Sequence, residues 1–177
     1  PTKTPKPTKT PKPTKTPKPT KSPKPPPPPP TPQPGPGGWG DPHLTGFDGR
    51  KFLLIGDTVH EYSLFSAENV VLSSRLYIDE DKTFFRQFRV ISGGDSLLID
   101  MDPARRTVAV TVNGVLVDRD DLHETDNLAV TTQPIGKTNL RISVSTMAVN
   151  FTFHTRIYKR PHLDFSLELT RELRVDE

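Results

Sequence analysis

MAVNFTFHTRIYKRPHLDFSLELT, residues 147–170, is the stretch whose reading decides the fold. Met147, Val149, Phe151 and Phe153 fall on one side of an extended chain, and Ala148, Asn150, Thr152 and His154 on the other. Leu163, Phe165, Leu167 and Leu169 then alternate with Asp164, Ser166, Glu168 and Thr170. Successive strand residues point to opposite faces, so both runs read as half-buried strands with the apolar set inward.

The same period recurs at Val108/Val110/Val112 and Leu140/Ile142/Val144. Turn chemistry separates the runs: Ser92-Gly93-Gly94-Asp95, Asp102-Pro103-Ala104-Arg105 and Asn113-Gly114. Asn-Gly between Val108–Val112 and Val115–Val117 is a strong short-range hairpin signal. The only weak helical window is Asp118–Thr125. The fold class expected is all-β: an antiparallel sandwich or open barrel of about ten strands.

Upstream of Trp39 the polymer is different. Of 21 prolines, 17 precede Trp39, and residues 1–38 carry eight lysines and no acid. Residues 1–24 are four hexads, PTKTPK three times and PTKSPK once, followed by Pro25–Pro30. Proline fixes φ near the polyproline II value and the lysines repel, which predicts an extended tail. At about 3.1 Å per residue, its first 36 residues reach on the order of 110 Å. Two domains follow: a tail and linker over 1–38, with Gly35, Gly37 and Gly38 as a swivel, and a β domain over 39–177. Residues 1–36 are expected to make no regular contacts with the body.

The body holds 16 basic and 21 acidic residues, a net −5 against +8 for the tail. A uniformly basic nucleic-acid-binding domain is therefore excluded. No apolar run is long enough for a membrane-spanning helix. Without cysteine there is no disulfide framework, thiol nucleophile or Cys-based metal site. The chain begins at Pro1 inside a repeat, without Met or a signal segment, and reads as a piece of something longer.

The opening GWGDPHLTGFDGRKFLLIG, residues 38–56, resembles the start of the von Willebrand factor type D domain. Gly40, Asp41, Pro42, His43, Phe47, Asp48 and Gly49 match it position by position, although Leu44 replaces the usual aromatic and the family's cysteines are absent. The chain is most similar to the cysteine-poor plant and algal branch, the root-cap or late-embryogenesis-like proteins. Gly46, Asp48, Gly49, Phe52 and Gly56 fit that branch's spacing. The resemblance covers most of residues 39–170 and implies an extracellular or cell-wall protein that assembles, adheres or scaffolds, with no catalysis. In the disulfide-rich relatives the residue matching Asp48 helps bind calcium, together with a later loop that this chain lacks. Calcium at Asp48 is thus the only metal the resemblance suggests, and no cofactor is expected.

Ordinary structural roles also account for these residues. Asp41 caps a turn, Pro42 fixes φ, Asp48-Gly49 turns into the strand at Phe52, His43 is a turn histidine, and Trp39 plugs one end of the sandwich. The acidic groups Asp79-Glu80-Asp81, Asp100/Asp102 and Asp118/Asp120/Asp121 read as solvated turn faces. No Gly-x-Ser-x-Gly elbow, His-Glu-x-x-His or phosphate-cradling loop occurs, so no enzyme is indicated.

The function expected is a non-enzymatic extracellular structural or interaction module on a proline-rich wall-type stalk. Its partners are matrix or wall protein, polysaccharide or a second copy. The alternative is an intracellular or nuclear protein whose Thr-Pro-Lys and Ser-Pro-Lys tail binds nucleic acid or proline-recognition domains. Thr4, Thr10, Thr16 and Ser22 are the candidate modification positions of the tail. Trp39, Tyr62, Tyr77 and Tyr158 are the candidate sugar-stacking platforms. Asn150-Phe151-Thr152 is the one N-glycosylation sequon, and the alternation places Asn150 on the solvent face.

Overall fold

The computed structural model describes residues 36–39 and 42–170, apart from the Trp39 side chain. The repeat tail with Thr4, Thr10, Thr16 and Ser22, the motif residues Gly40 and Asp41, and the plug proposed for Trp39 lie outside the described residues.

The described residues form fourteen strands and no helix. Three short ones open the chain: β1 (Gly37–Trp39), β2 (His43–Thr45) and β3 (Lys51–Leu53). A six-strand meander follows: β4 (Glu61–Ala67), β5 (Val70–Asp79), β6 (Lys82–Ser92), β7 (Asp95–Asp102), β8 (Thr107–Val112) and β9 (Val115–Leu116). The chain returns through β10 (Leu122–Glu124), β11 (Ala129–Ile135), β12 (Asn139–Ser145), β13 (Val149–Arg156) and β14 (His162–Leu169). The first three strands join the last five in an eight-stranded antiparallel sheet ordered β10-β11-β12-β13-β14-β1-β2-β3, and β4 to β9 form a six-stranded one. The all-β expectation holds, as two sheets in a sandwich.

The core lies where the inward rows of the two sheets meet. From the six-stranded sheet, Phe85 and Phe88 meet Phe153 and Phe165 of the eight-stranded one. Phe88 has ring centroids 5.1 Å from Phe85 and Phe153 and 5.2 Å from Phe165. Tilted and edge contacts at this spacing favour aromatic rings beyond their area burial. Val149, Phe151, Phe153, Leu163, Phe165 and Leu167 are all buried, as the alternation requires.

The Asn113-Gly114 hairpin forms, with Val112 opposite Val115 and φ of 51° and 80° at the two turn residues. Both values are positive, as a type I′ turn requires. The Asp102 turn forms too: its Oδ1 accepts the backbone N–H of Ala104 and Arg105, both at 3.0 Å.

Four details of the reading are corrected. Met147 is 78 % exposed and Ala148 buried, the reverse of the alternation. Thr146 causes this: its hydroxyl accepts the N–H of Val149 at 2.9 Å and closes a turn, so the strand begins only at Val149. Asp118–Thr125 is no helix; β10 lies within it and pairs with β11. Gly37 and Gly38 are strand residues, paired with Ser166 and Phe165, not a swivel. Pro36 is tied to the body as well, since its carbonyl accepts the Leu167 N–H at 3.0 Å. Glycine is required at Gly38, where a Cβ would stand 2.6 Å from the Leu44 and Phe165 side chains.

Candidate functional site

Alternation along β11 to β14 puts Thr131, Ser143, Thr152 and Ser166 on the outer face of the eight-stranded sheet. Register aligns them: Thr131 opposes Ser143, Ser143 opposes Thr152, and Thr152 opposes Ser166. The row continues through Gly37 to Thr45 of β2. A second row on the same face holds Ser145, Asn150 and Glu168. Strands lie about 4.8 Å apart, so the four hydroxyls of the first row span roughly 14 Å. None of the four, nor Ser145 or Asn150, has a side-chain hydrogen bond to a described residue.

One end of this face is hollowed. β14 pairs with β1 only up to Ser166, and the Leu167 bond to Pro36 is the last backbone hydrogen bond on that edge among the described residues. Past it lies a groove of about 550 Å³, lined in part by Pro36, Phe47, Asn150, Thr152, Ser166 and Glu168.

Phe47 is supplied by the turn between β2 and β3. Gly49 takes φ of 76°, the Gly49 N–H donates to the Gly46 carbonyl at 3.0 Å, and the Gly46 N–H to that of Arg50 at 2.9 Å. Held there, Phe47 leans on Phe65 at 6.0 Å yet stays 57 % exposed. A smaller recess shares Pro36 and Phe47 and contains Thr45. Thr45 is only 6 % exposed, and its Oγ1 has no hydrogen-bond partner among the described residues. Buried hydroxyls are normally satisfied; Thr45 shares this state with Ser74 of the six-stranded sheet.

The Asp48 carboxylate is engaged elsewhere. Its Oδ1 accepts the Arg50 N–H at 3.0 Å and its Oδ2 lies 3.2 Å from the Arg50 guanidinium. Among the described residues no group of three or more His, Cys, Asp or Glu gathers to hold a metal. Calcium needs six to eight oxygens, so the residues around Asp48 do not fit it. His43 is an exposed strand residue paired with Trp39 and Leu53, rather than a turn histidine. Pro42, beside it, accepts the Leu54 N–H at 2.9 Å.

The other charged groups hold the fold. Asp95 bridges three segments: Oδ1 accepts the Asn113 amide at 2.7 Å, and Oδ2 accepts the Asn127 amide at 2.9 Å and backbone N–H at 3.1 Å. These bonds, the Asn113 one foremost, lower its pKa from 3.8 to about 2. Asp57 is lowered to about 2 chiefly by the His60 backbone N–H. Arg160 pairs with Asp79 and Glu80. Of the tyrosines, Tyr77 donates to the Pro161 carbonyl and stacks on Phe84, and burial first, then Asp79, pushes its pKa up to about 12. The Tyr62 hydroxyl accepts the Asp57 N–H at 2.7 Å, which leaves Tyr158, 79 % exposed, as the one open tyrosine platform. His154, on the outer face, is held below its usual range by burial and then by Arg141 and Arg156.

Asn150 and Thr152 lie side by side on the outer face, both half-buried in the groove wall. Sequence reading found Asn150 but missed the groove, whose parts come from β13, β14, the β2–β3 turn and Pro36. The hydroxyl pattern of residues 143, 145, 152 and 166 was its only local signal. Among the described residues no helix is long and apolar enough to cross a membrane. Compared with protein-family models and with curated proteins, the chain matches none.

Proposed function

We propose that this chain is a non-enzymatic binding module of the extracellular matrix or cell wall, a β-sandwich presented on a proline-rich stalk. The von Willebrand type D-like opening, carried among described residues by Pro42, His43, Phe47, Asp48 and Gly49, supports this reading, and the spacing of Gly46, Asp48, Gly49, Phe52 and Gly56 supports an affinity with the plant and algal root-cap branch. The observation that carries the reading is the contrast in how polar groups are used. Many carboxylates and guanidinia are engaged in turns and exposed ion pairs, whereas the groove beside Pro36 is lined mainly by uncharged hydrogen-bonding and apolar side chains and an exposed phenyl ring, with Glu168 as its one charged group among the lining residues. Such a surface suits adhesion. Asn150 is the position for a glycan if the chain passes through a secretory pathway, since the strand register keeps it off the core; because it lines the groove, a glycan there and a ligand in the groove are alternatives.

The eight lysines of residues 1–38 favour a second reading, in which the tail contacts nucleic acid. Co-sedimentation of the full chain with isolated wall polymers, alongside sedimentation velocity of the chain alone, tests the first. Wall binding or self-association is expected. Duplex DNA binding by a 1–38 peptide is the counter-measurement. Micromolar affinity at physiological salt, with log affinity falling by about 0.9 per neutralised phosphate against log salt and no wall binding, would reverse the assignment.

A further inference from the structure

We propose that the groove beside Pro36 and Phe47 binds a neutral polysaccharide chain, one sugar ring lying on Phe47 and the chain running along the hydroxyl row of β14, β13, β12 and β11. This inference rests on the binding-module reading above and gives it a ligand class and a site.

Four observations support it. The polar side chains Asn150, Thr152 and Ser166 have no hydrogen-bond partner among the described residues, so their capacity is available to hydroxyls of a ligand. They stand on paired strands, Thr152 opposite Ser166 and Asn150 opposite Glu168, which fixes their spacing before any ligand arrives. Phe47 offers an apolar ring to the apolar face of a sugar, and its turn holds it half out of the body at 57 % exposure. Thr45, further along the same row, carries a buried hydroxyl with no hydrogen-bond partner among the described residues.

Charge selects among polymers. The row Thr131–Ser143–Thr152–Ser166 is uncharged, the acidic group lining the groove is Glu168, and the next row of the same face, away from the groove, carries Arg141, His154 and Asp164. A carboxylate accepts hydrogen bonds from sugar hydroxyls but repels an anionic polymer such as a pectate. A span of roughly 14 Å across four strands is a track for several sugar units rather than a pocket for one.

The experiment uses the full chain produced without glycosylation. Neutral hexasaccharides of β-1,4-glucan and β-1,4-mannan are titrated calorimetrically beside hexagalacturonate. Binding of at least one neutral probe, and weaker or no binding of the anionic one, is expected. Thr152→Val deletes a hydroxyl while keeping the shape, and is expected to weaken binding tenfold or more. Phe47→Ala is expected to do the same, and Thr111→Val on the other sheet to leave binding unchanged. Thermal melts check that each variant folds; should Phe47→Ala fail, Thr152→Val carries the test alone. Absence of binding to both neutral probes, preference for hexagalacturonate, or affinity indifferent to Thr152→Val would each overturn the site. If wild type and Thr152→Val associate with wall polymer equally, the module reading stands and this site falls; self-association bears on the module reading alone. If the full chain neither associates with wall polymer nor with itself, the module reading falls as well.

Discussion

The outer faces of the two sheets solve the same problem in opposite ways. On the six-stranded sheet the exposed rows are charged and answer one another. Glu61 of β4 lies 3.6 Å from Arg75 and 3.8 Å from Arg89, and accepts the Ser73 hydroxyl, while Arg86 reaches Asp100 at 3.7 Å. On the eight-stranded sheet one outer row is also charged, Arg141, His154 and Asp164, with Asp164 3.0 Å from Arg156, but the two rows beside it are mostly Ser, Thr and Asn, whose hydroxyls and amide have no partner among the described residues. Long guanidinium arms reach across neighbouring strands and close a face upon itself; short hydroxyls leave their bonding capacity facing water. The charged rows are therefore closed upon themselves, whereas the hydroxyl rows of the eight-stranded sheet keep their bonding capacity.

The largest expected effect breaks both faces together. Phe88 is fully buried and joins the rings of both sheets, so Phe88→Ala should cost about 3–5 kcal/mol of stability in denaturant unfolding. A loss under about 1 kcal/mol would mean that the sheets are not held by this contact.

Acid should sharpen the comparison at intermediate size. The Asp95 pKa is lowered from 3.8 to about 2 in the fold, so the unfolded chain takes the proton more readily. Its contribution is present above about pH 4 and is lost as pH falls towards 2. Asp57 titrates in the same window, so the readout is the difference between wild type and Asp95→Asn. The variant should be less stable at pH 7, and the gap should close by pH 2. A gap constant with pH would exclude the clamp.

The smallest effect is the most telling about the faces. Glu61→Gln leaves Arg75 and Arg89 without their carboxylate, and should cost up to about 1 kcal/mol, less at high salt. Ser143→Ala removes a hydroxyl that bonds to nothing in the described protein and should change stability by less than about 0.5 kcal/mol. Unfolding both variants at two salt concentrations distinguishes the closed face from the open one.

What the sequence reveals follows from range. Residues 149–154 and 163–169 are legible because each strand's own period reports its buried side. Asn113-Gly114 is legible because positive φ at two successive residues narrows the choice of amino acid. Met147 is misread because the Thr146 hydroxyl resets the strand's start, a local bond that periodicity does not register. The pairing of β1 with β14 joins residues more than 120 positions apart, and nothing in GGW announces it. The groove is hidden for the same reason: Phe47, Asn150 and Glu168 meet only after that pairing is made. The glycosylation sequon, by contrast, is plain in the sequence, yet only the fold reveals that a glycan on Asn150 would occupy the groove itself.

The β1–β14 pairing also has a mechanical side. The two strands are antiparallel, with Gly37 opposite Ser166, so the chain enters at Pro36 and leaves after Leu169 at the same end of the pair. Tension applied between Pro36 and Thr170 is carried first by the bonds at that end: Leu167 N–H to the Pro36 carbonyl, and Thr170 N–H to that of Ala148, each 3.0 Å long. Bonds of an antiparallel ladder lie perpendicular to the strands, and from one end they are loaded in sequence rather than together. The body peels under such a pull instead of shearing, and its seam yields beside the groove.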